Sequence, residues 1–355
     1  MKKRIYVCHT FYHVYIAFLK EFALGEDKGA TLVLSTMSNN FGRLKERIEE
    51  LDFFDEVYMF DEQNYQNFED LVELKKDKGN IISNMWSRHK YSQELAKKQE
   101  AFVPVDFAEY KDIYVFCDSD PIGYYLSYKK LRYHALEDGL NCIAYCDTAR
   151  FDNRGFFSIK TFLSKKINFI FIQNGYGKYC LEMEVNDISM IEHSCPYYKE
   201  VPRKDLIDRL TREDKDRLLH AFIADYEEMK MQLKEANDSN KERVLVLTEP
   251  LCDLQTRTRI FKDVIEEYGK DATVVIKQHP RDELDYSIDF AGFIRLDKSV
   301  PMELLNFIPN VYFEKVVSIF TETKAIGYAR DLIMLGSDFM DDYEDPALHR
   351  FNEQI

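Results

Sequence analysis

Residues Arg243–Pro250 read RVLVLTEP. A run of Val and Leu predicts a buried strand, and Thr248-Glu249-Pro250 ends it in a polar loop. The residues beyond this loop decide the fold. A helical pattern covers Thr256–Tyr268, then TVVI at Thr273–Ile276 reads as a second strand. Next come GFIRL (Gly292–Leu296), a short helix at Met302–Phe307, the strand KVVSIF (Lys315–Phe320), a helix at Glu322–Ala329 and the run DLIMLG. Strands alternating with helices predict a mainly parallel sheet covered on both faces.

The same alternation fills the first half. Strands are expected at Arg4–His9, Thr31–Ser35, Glu56–Phe60, Asp112–Cys117 and Tyr133–Leu136. Helical stretches are expected at Phe11–Phe22, Phe41–Leu51 and Ile122–Leu131, with a long polar helical region around Phe68–Ala101. The segment FFSIKTFLSKKINFIFI (Phe156–Ile172) reads as a helix followed by a core strand, or as a patch touching a membrane surface. Between the halves, Leu206, Leu210, Leu218, Leu219, Phe222 and Ile223 form an amphipathic stripe, which ends in the turn-rich NDSNKE. The expected organisation is an N-terminal domain at 1–200, a helical connector at 201–242 and a C-terminal domain at 243–355. Two doubly wound α/β domains facing a cleft would place ligands beyond the carboxyl ends of their strands.

Bulk properties narrow the function. The 355 residues suffice for two cores. A net charge of −15 without a long Lys/Arg run argues against a duplex nucleic-acid partner. The 23 Tyr and 26 Phe suit either sugar-stacking surfaces or an aromatic-rich core. Seven scattered cysteines lack a CxxC pair, which speaks against a disulfide framework and a zinc site. Cys142 and Cys146, in NCIAYCD, share a strand face and read as core thiols. A reducing compartment, the cytoplasm, follows. MKKRIYVCHT is too short in its apolar part for a signal peptide, and no run reaches the length of a membrane span.

The loops after the strands carry the chemistry. Lys277-Gln278-His279-Pro280-Arg281 offers two cations and a histidine that can stabilise a departing phosphate, with Pro280 fixing the turn; a solvated loop with Pro280 at a helix start is the plain alternative. Ser318, Thr321 and Thr323 lie at a strand end and an expected helix start, where hydroxyls and free N–H groups bind phosphate or simply cap the helix. The Thr248-Glu249-Pro250 loop occupies the usual nucleotide position but has no Gly-rich fingerprint, so a dinucleotide cofactor is not expected. Asp253 reads as a helix cap. In the first half, Glu137-Asp138-Gly139 is either a general base whose pKa is raised by its neighbour or an ordinary Asp-Gly turn. Thr10 and His13 sit at the first strand–helix junction, where the ring either reaches a substrate or completes the helix start. Asp118-Ser119-Asp120 is either a pair of hard-cation ligands or an N-cap before Pro121.

Together, VCHTFYHVYIAFLK, EDG (Glu137–Gly139), EVPRKDLIDRLTREDK, LTEP, KQHP and SIFT resemble the bacterial sialyltransferases, above all glycosyltransferase family 52. The resemblance covers nearly the whole chain. It implies a GT-B fold of two Rossmann-like domains, and metal-free inverting transfer of sialic acid from CMP-sialic acid to a glycan hydroxyl of lipooligosaccharide or capsule. Glu137, within the Glu137-Asp138 pair, would deprotonate the acceptor, or Asp253 beyond the Thr-x-Pro loop would. His279 would assist departure of CMP. Thr248, Glu249, Pro250, Lys277, Pro280, Ser318, Thr321 and Thr323 would hold the donor, and Thr10 and His13 the acceptor. The expected partners are a sugar nucleotide and a glycan, with no cofactor and no nucleic acid; peripheral contact with the inner membrane and a homodimer stay open. The rival readings are another donor such as UDP-glucose, a metal-dependent transferase using Asp118 and Asp120, and a non-catalytic glycan-binding protein.

Overall fold

The structure, a computed structural model, describes residues 2–25, 28–139, 147–238 and 240–350. It divides into two units, Met1–Thr211 and Arg212–Ile355. Cys142 and Cys146 lie outside the described residues. The five described cysteines are free.

The first unit runs β1 (Lys2–Cys8), α1 (Phe11–Leu24), β2 (Ala30–Ser35), α2 (Leu44–Glu50), β3 (Glu56–Phe60), α3 (Glu69–Lys75), α4 (Ile81–Gln99), β4 (Tyr110–Val115), α5 (Pro121–Lys129), β5 (Tyr133–Leu136), α6 (Thr148–Asp152), α7 (Phe157–Phe162), β6 (Cys180–Val185), β7 (Tyr198–Glu200) and α8 (Arg203–Ile207). Its sheet order is β3-β2-β1-β4-β5-β6-β7, with every pairing parallel. The order reverses direction between β1 and β4, so the crest there is the topological switch point. Buried on both faces, Ile5–Cys8 of β1 and most of β2 read as near-continuous apolar runs. Thr10 caps α1 by accepting the His13 N–H, and Gly25, at φ 65°, closes it in the left-handed conformation. At Gly123 a Cβ would stand 1.9 Å from the Asp118 carbonyl, so only glycine lets α5 approach the β4 loop.

The second unit runs α9 (Arg212–Phe222), α10 (Tyr226–Asp238), β8 (Arg243–Leu247), α11 (Leu254–Tyr268), β9 (Thr273–Lys277), β10 (Ile294–Leu296), β11 (Phe313–Ser318) and β12 (Ala329–Met334), with short helical turns between. The order β10-β9-β8-β11-β12 is again all parallel, and its switch point falls between β8 and β11. The core gathers Val244, Val246, Ile276 and Val317 from the strands with Ile260, Phe261 and Val264 from α11. Within the stripe Leu206–Ile223 every expected apolar residue is buried; α8 packs on α1, and α9 packs on Met302–Phe307. No helix among the described residues is long and apolar enough to cross a membrane.

Two expected elements do not form. The helix at Glu322–Ala329 is a loop, and Ala329 instead opens β12. There the Thr321 N–H is taken by Glu249 and the Gly327 N–H by Asn306, so side chains replace helical carbonyls as acceptors. The strand expected within NFIFI is also absent. After α7 the chain makes a π-helical turn to Ile167, and Asn168 adopts φ 60°. Ser164 then accepts from Ile172 N and donates to Tyr176 O, folding the segment onto itself with Ile170 and Ile172 buried. The strands β6 and β7, which extend the first sheet, were not anticipated.

Candidate active site

In the first unit the crests of β1, β3, β4 and β5 carry five acids and two histidines. His13 occupies the first turn of α1 and stacks on Phe116, with ring centroids 4.2 Å apart. Its Nδ1 accepts the His9 backbone N–H at 3.0 Å, which leaves the ring proton on Nε2, donated to Asp138. Burial pushes Asp138 upward, but His13 and His9 outweigh it and hold the acid below its ordinary pKa. His9 donates through Nε2 to Glu62 at 2.9 Å and lies 3.6 Å from Asp120. Glu62 is wholly buried and also accepts from Ser35 and from the Ile122 N–H. Burial raises Asp120 to about 7 despite His9.

Glu137, just after β5, is 3% exposed. Its Oε2 accepts the Asn186 N–H at 2.6 Å, whereas Oε1 has no hydrogen-bond partner among the described residues. Burial raises its pKa to about 7, against the pull of Asn186 and the Arg203 cation. Among the described residues, all three guanidinium nitrogens of buried Arg203 are likewise without a hydrogen bond. A half-protonated carboxylate with an uncommitted oxygen is suited to accept a proton.

The Asp118-Ser119-Asp120 carboxylates are committed to different partners. Asp118 accepts from Tyr133 OH and the Asn174 N–H, both at 2.9 Å, and burial raises it to about 6. Asp120 turns to His9. Ligand atoms of His9, His13 and Cys117 lie within 4.8 Å of one another. His13, however, has no lone pair to offer once Nδ1 accepts and Nε2 donates, and burial holds the Cys117 thiol far above the range in which it becomes a thiolate.

In the second unit the loops after β8 and β9 are joined by one buried acid, Asp282. It accepts from Arg257 Nη1 at 2.7 Å, Tyr286 OH at 2.7 Å, Thr248 Oγ1 at 3.0 Å and the Leu284 N–H at 3.0 Å. Arg257, from α11, also donates to the carbonyls of Leu251 and Cys252. Thr248 in turn accepts the His279 N–H at 3.1 Å. The Arg281 N–H occupies His279 Nδ1 at 3.1 Å, so the neutral ring carries its proton on Nε2. Burial, then Arg281 and Lys277, lower His279 to about 4. Lys277, buried at the end of β9, donates to the Gln278 carbonyl; burial lowers it to about 8, partly offset by Asp297 and Glu303. Replacing Asp282 by Asn leaves buried Arg257 uncompensated and is expected to cost about 3 kcal/mol in urea unfolding; a loss below about 1 kcal/mol would show that the pair does not hold the two loops.

Glu249 faces inward. Its Oε1 accepts the N–H groups of Ile319, Phe320 and Thr321 at 3.0, 2.8 and 2.9 Å. Ser318 Oγ donates to the Thr321 carbonyl, and Thr323 is buried. Pro280 sits in the turn after β9, with no helix until Tyr286–Asp289. Asp253 is an exposed N-cap of α11, accepting from Gln255 N, Thr256 N and Thr256 Oγ1; the bonds from Thr256 hold its pKa below the ordinary value. Pro250 follows Glu249 in the β8–α11 loop. Thus His13 and Asp138 come together with Glu137 nearby in chain, and Thr248, Lys277 and His279 share the second crest. Arg203, His9, Glu62, Arg257 and Asp282 were not foreseen.

Two parallel, doubly wound units with polar crests at their switch points define a two-domain Rossmann-like enzyme of the GT-B type. Residues 55–329 match glycosyltransferase family 52, and the chain belongs to that family and is a glycosyltransferase. The fold is similar to an α/β-galactoside α-2,3-sialyltransferase from the luminous marine bacterium Photobacterium phosphoreum, with a TM-score of 0.53 and 12% identity over 93% of this chain and 89% of that one. An uncharacterised protein of Haemophilus influenzae is 27% identical over 135 residues, 37% of this chain; the match spans 41% of that relative's length.

Proposed function

We propose that the enzyme transfers sialic acid from CMP-sialic acid to a hydroxyl of a bacterial surface glycan, lipooligosaccharide or capsule, by direct inverting displacement without a metal. The observations that carry this reading lie one in each unit of a family-52 chain: Glu137, whose Oε1 has no hydrogen-bond partner among the described residues and whose pKa is about 7, and His279, whose proton is fixed on Nε2 beside Lys277 and Arg281. Membership of the family and the fold shared with a sialyltransferase support it.

In the proposed step, Glu137 takes the proton of the acceptor hydroxyl. The oxygen forms its bond to the anomeric carbon of the sugar as the bond to the CMP phosphate breaks. The electron pair leaves on the phosphate oxygen, which receives a hydrogen bond or proton from His279 Nε2 and the field of Lys277. One displacement inverts the anomeric carbon. His13 and Thr10 lie at the acceptor crest, and Asp138 locks the His13 ring. Thr248, Pro250, Pro280, Ser318, Thr321 and Thr323 frame the donor side. We place the reaction at the cytoplasmic face of the inner membrane, by analogy with where surface glycans are assembled.

The test is incubation with CMP-sialic acid, excess EDTA and a panel of small glycan acceptors, read by mass spectrometry, with UDP-glucose in parallel. A mass increase of one sialyl residue, undiminished by EDTA, is expected. Transfer from UDP-glucose alone, or loss of transfer in EDTA, rejects the donor or the metal-free assignment respectively.

A further inference from the structure

A cavity of about 920 Å³ opens in the first unit between the α3–α4 turn, α4 and the segment linking α6 to α7. Its floor is aromatic. The rings of Tyr91 and Tyr124 meet edge-on at 6.0 Å, and Tyr124 packs on Phe171 at 4.7 Å. Its wall is cationic. Arg88 Nη1 donates to Asn153 Oδ1 at 3.2 Å, and Lys160 Nζ donates to the Asn153 carbonyl at 3.3 Å, so two cations converge on one residue.

Among the described residues neither cation is paired with a carboxylate. The remaining contact of Lys160 is another carbonyl, that of Arg154. Arg154 itself lies over the Phe151 ring. The acids on the wall are occupied elsewhere: Asp77 accepts from Asn84 and Gly79, and Asp152 from Gln173. Burial, with a smaller part from the nearby Arg88, holds the Lys160 ammonium below its ordinary pKa. In a chain of net charge −15 this local excess runs against the whole.

The cavity also adjoins the candidate active site. Ser119 lines it, between Asp118 and Asp120, and Asp120 lies 3.6 Å from His9. Aromatic faces accept the C–H faces of sugar rings, side-chain amides accept hydroxyls, and a pair of unmatched cations accepts an anion.

We infer that this cavity binds a negatively charged oligosaccharide, with a phosphate or sugar carboxylate between Arg88 and Lys160 and sugar rings against Tyr91 and Tyr124. Resting on the proposed transfer reaction, it holds the part of the acceptor behind the reacting terminal sugar. The enzyme is thereby selective for charged glycans.

The test uses three synthetic galactose-terminated tetrasaccharides, one neutral, one with a phosphate and one with a uronic carboxylate on its third sugar. Binding is followed by saturation-transfer NMR, which needs no turnover. The protein is expected to bind at least one charged tetrasaccharide about tenfold more tightly than the neutral one, and which one identifies the anion. The double substitution Arg88→Gln, Lys160→Gln is expected to remove that preference and to leave binding of the neutral sugar within twofold. Equal binding of all three sugars by the unaltered protein overturns the inference. So does a preference that survives the double substitution. Charge-selective binding without transfer from CMP-sialic acid supports the cavity while rejecting the reaction, so the two failures are separable.

Discussion

Substituting His279 by Ala is expected to lower turnover by roughly two or more orders of magnitude, the scale of removing one proton donor or oxyanion contact. The reason lies in how the ring is held. The Arg281 N–H fills Nδ1, and the Thr248 hydroxyl fixes the backbone of the same residue. Only Nε2 remains, and it bears the proton. With a pKa near 4 the ring is neutral at pH 7. A phosphate arriving beside Nε2 adds its charge to that of Asp282 and raises that pKa as the bond breaks. The substitution should act on the rate constant of transfer more than on the donor KM. It is measured by steady-state kinetics with CMP-sialic acid, and turnover near that of the unaltered enzyme would remove His279 from the mechanism.

Glu137→Gln is expected to be as severe, lowering kcat/KM by about 10²–10⁴-fold, the usual contribution of a general base. The sign of the pH dependence comes from the raised pKa. Glu137 acts when ionised, so kcat/KM climbs about tenfold per pH unit below about 7 and levels above it. Glutamine keeps the shape and removes that limb of the profile. Asp253→Asn is the control. Asp253 spends its carboxylate on the start of α11, and its depressed pKa makes it the weaker base; activity within about tenfold is expected. A collapse in Asp253→Asn with Glu137→Gln little changed would transfer the role to Asp253.

The strands were legible because short apolar runs rich in β-branched residues, such as Val244–Leu247 and Thr273–Ile276, have few other uses. The misread segments share a physical cause. At 168–179 and 321–328 the backbone is satisfied by Ser164, Asn306 and Glu249, and a local apolar or helical pattern carries no record of a side chain from elsewhere. The same limit hides much of the site. His13 and Asp138 are 125 positions apart. Arg257 looks like one more charge on an amphipathic helix, and Arg203 like a solvated residue in a linker. What a single sequence exposes is the reactive residue after a strand; the residues that orient it come from remote elements.

Glu249 has a further consequence. Its carboxylate occupies a nest of three successive amides that would otherwise attract an external anion. The protein therefore carries a tethered surrogate ligand at its second switch point. Orthophosphate and other inorganic anions in the cell meet a position that is already filled, and a substrate reaches those amides only by exchange with the resident acid. The hydroxyls and cations around the loop are left to discriminate among ligands.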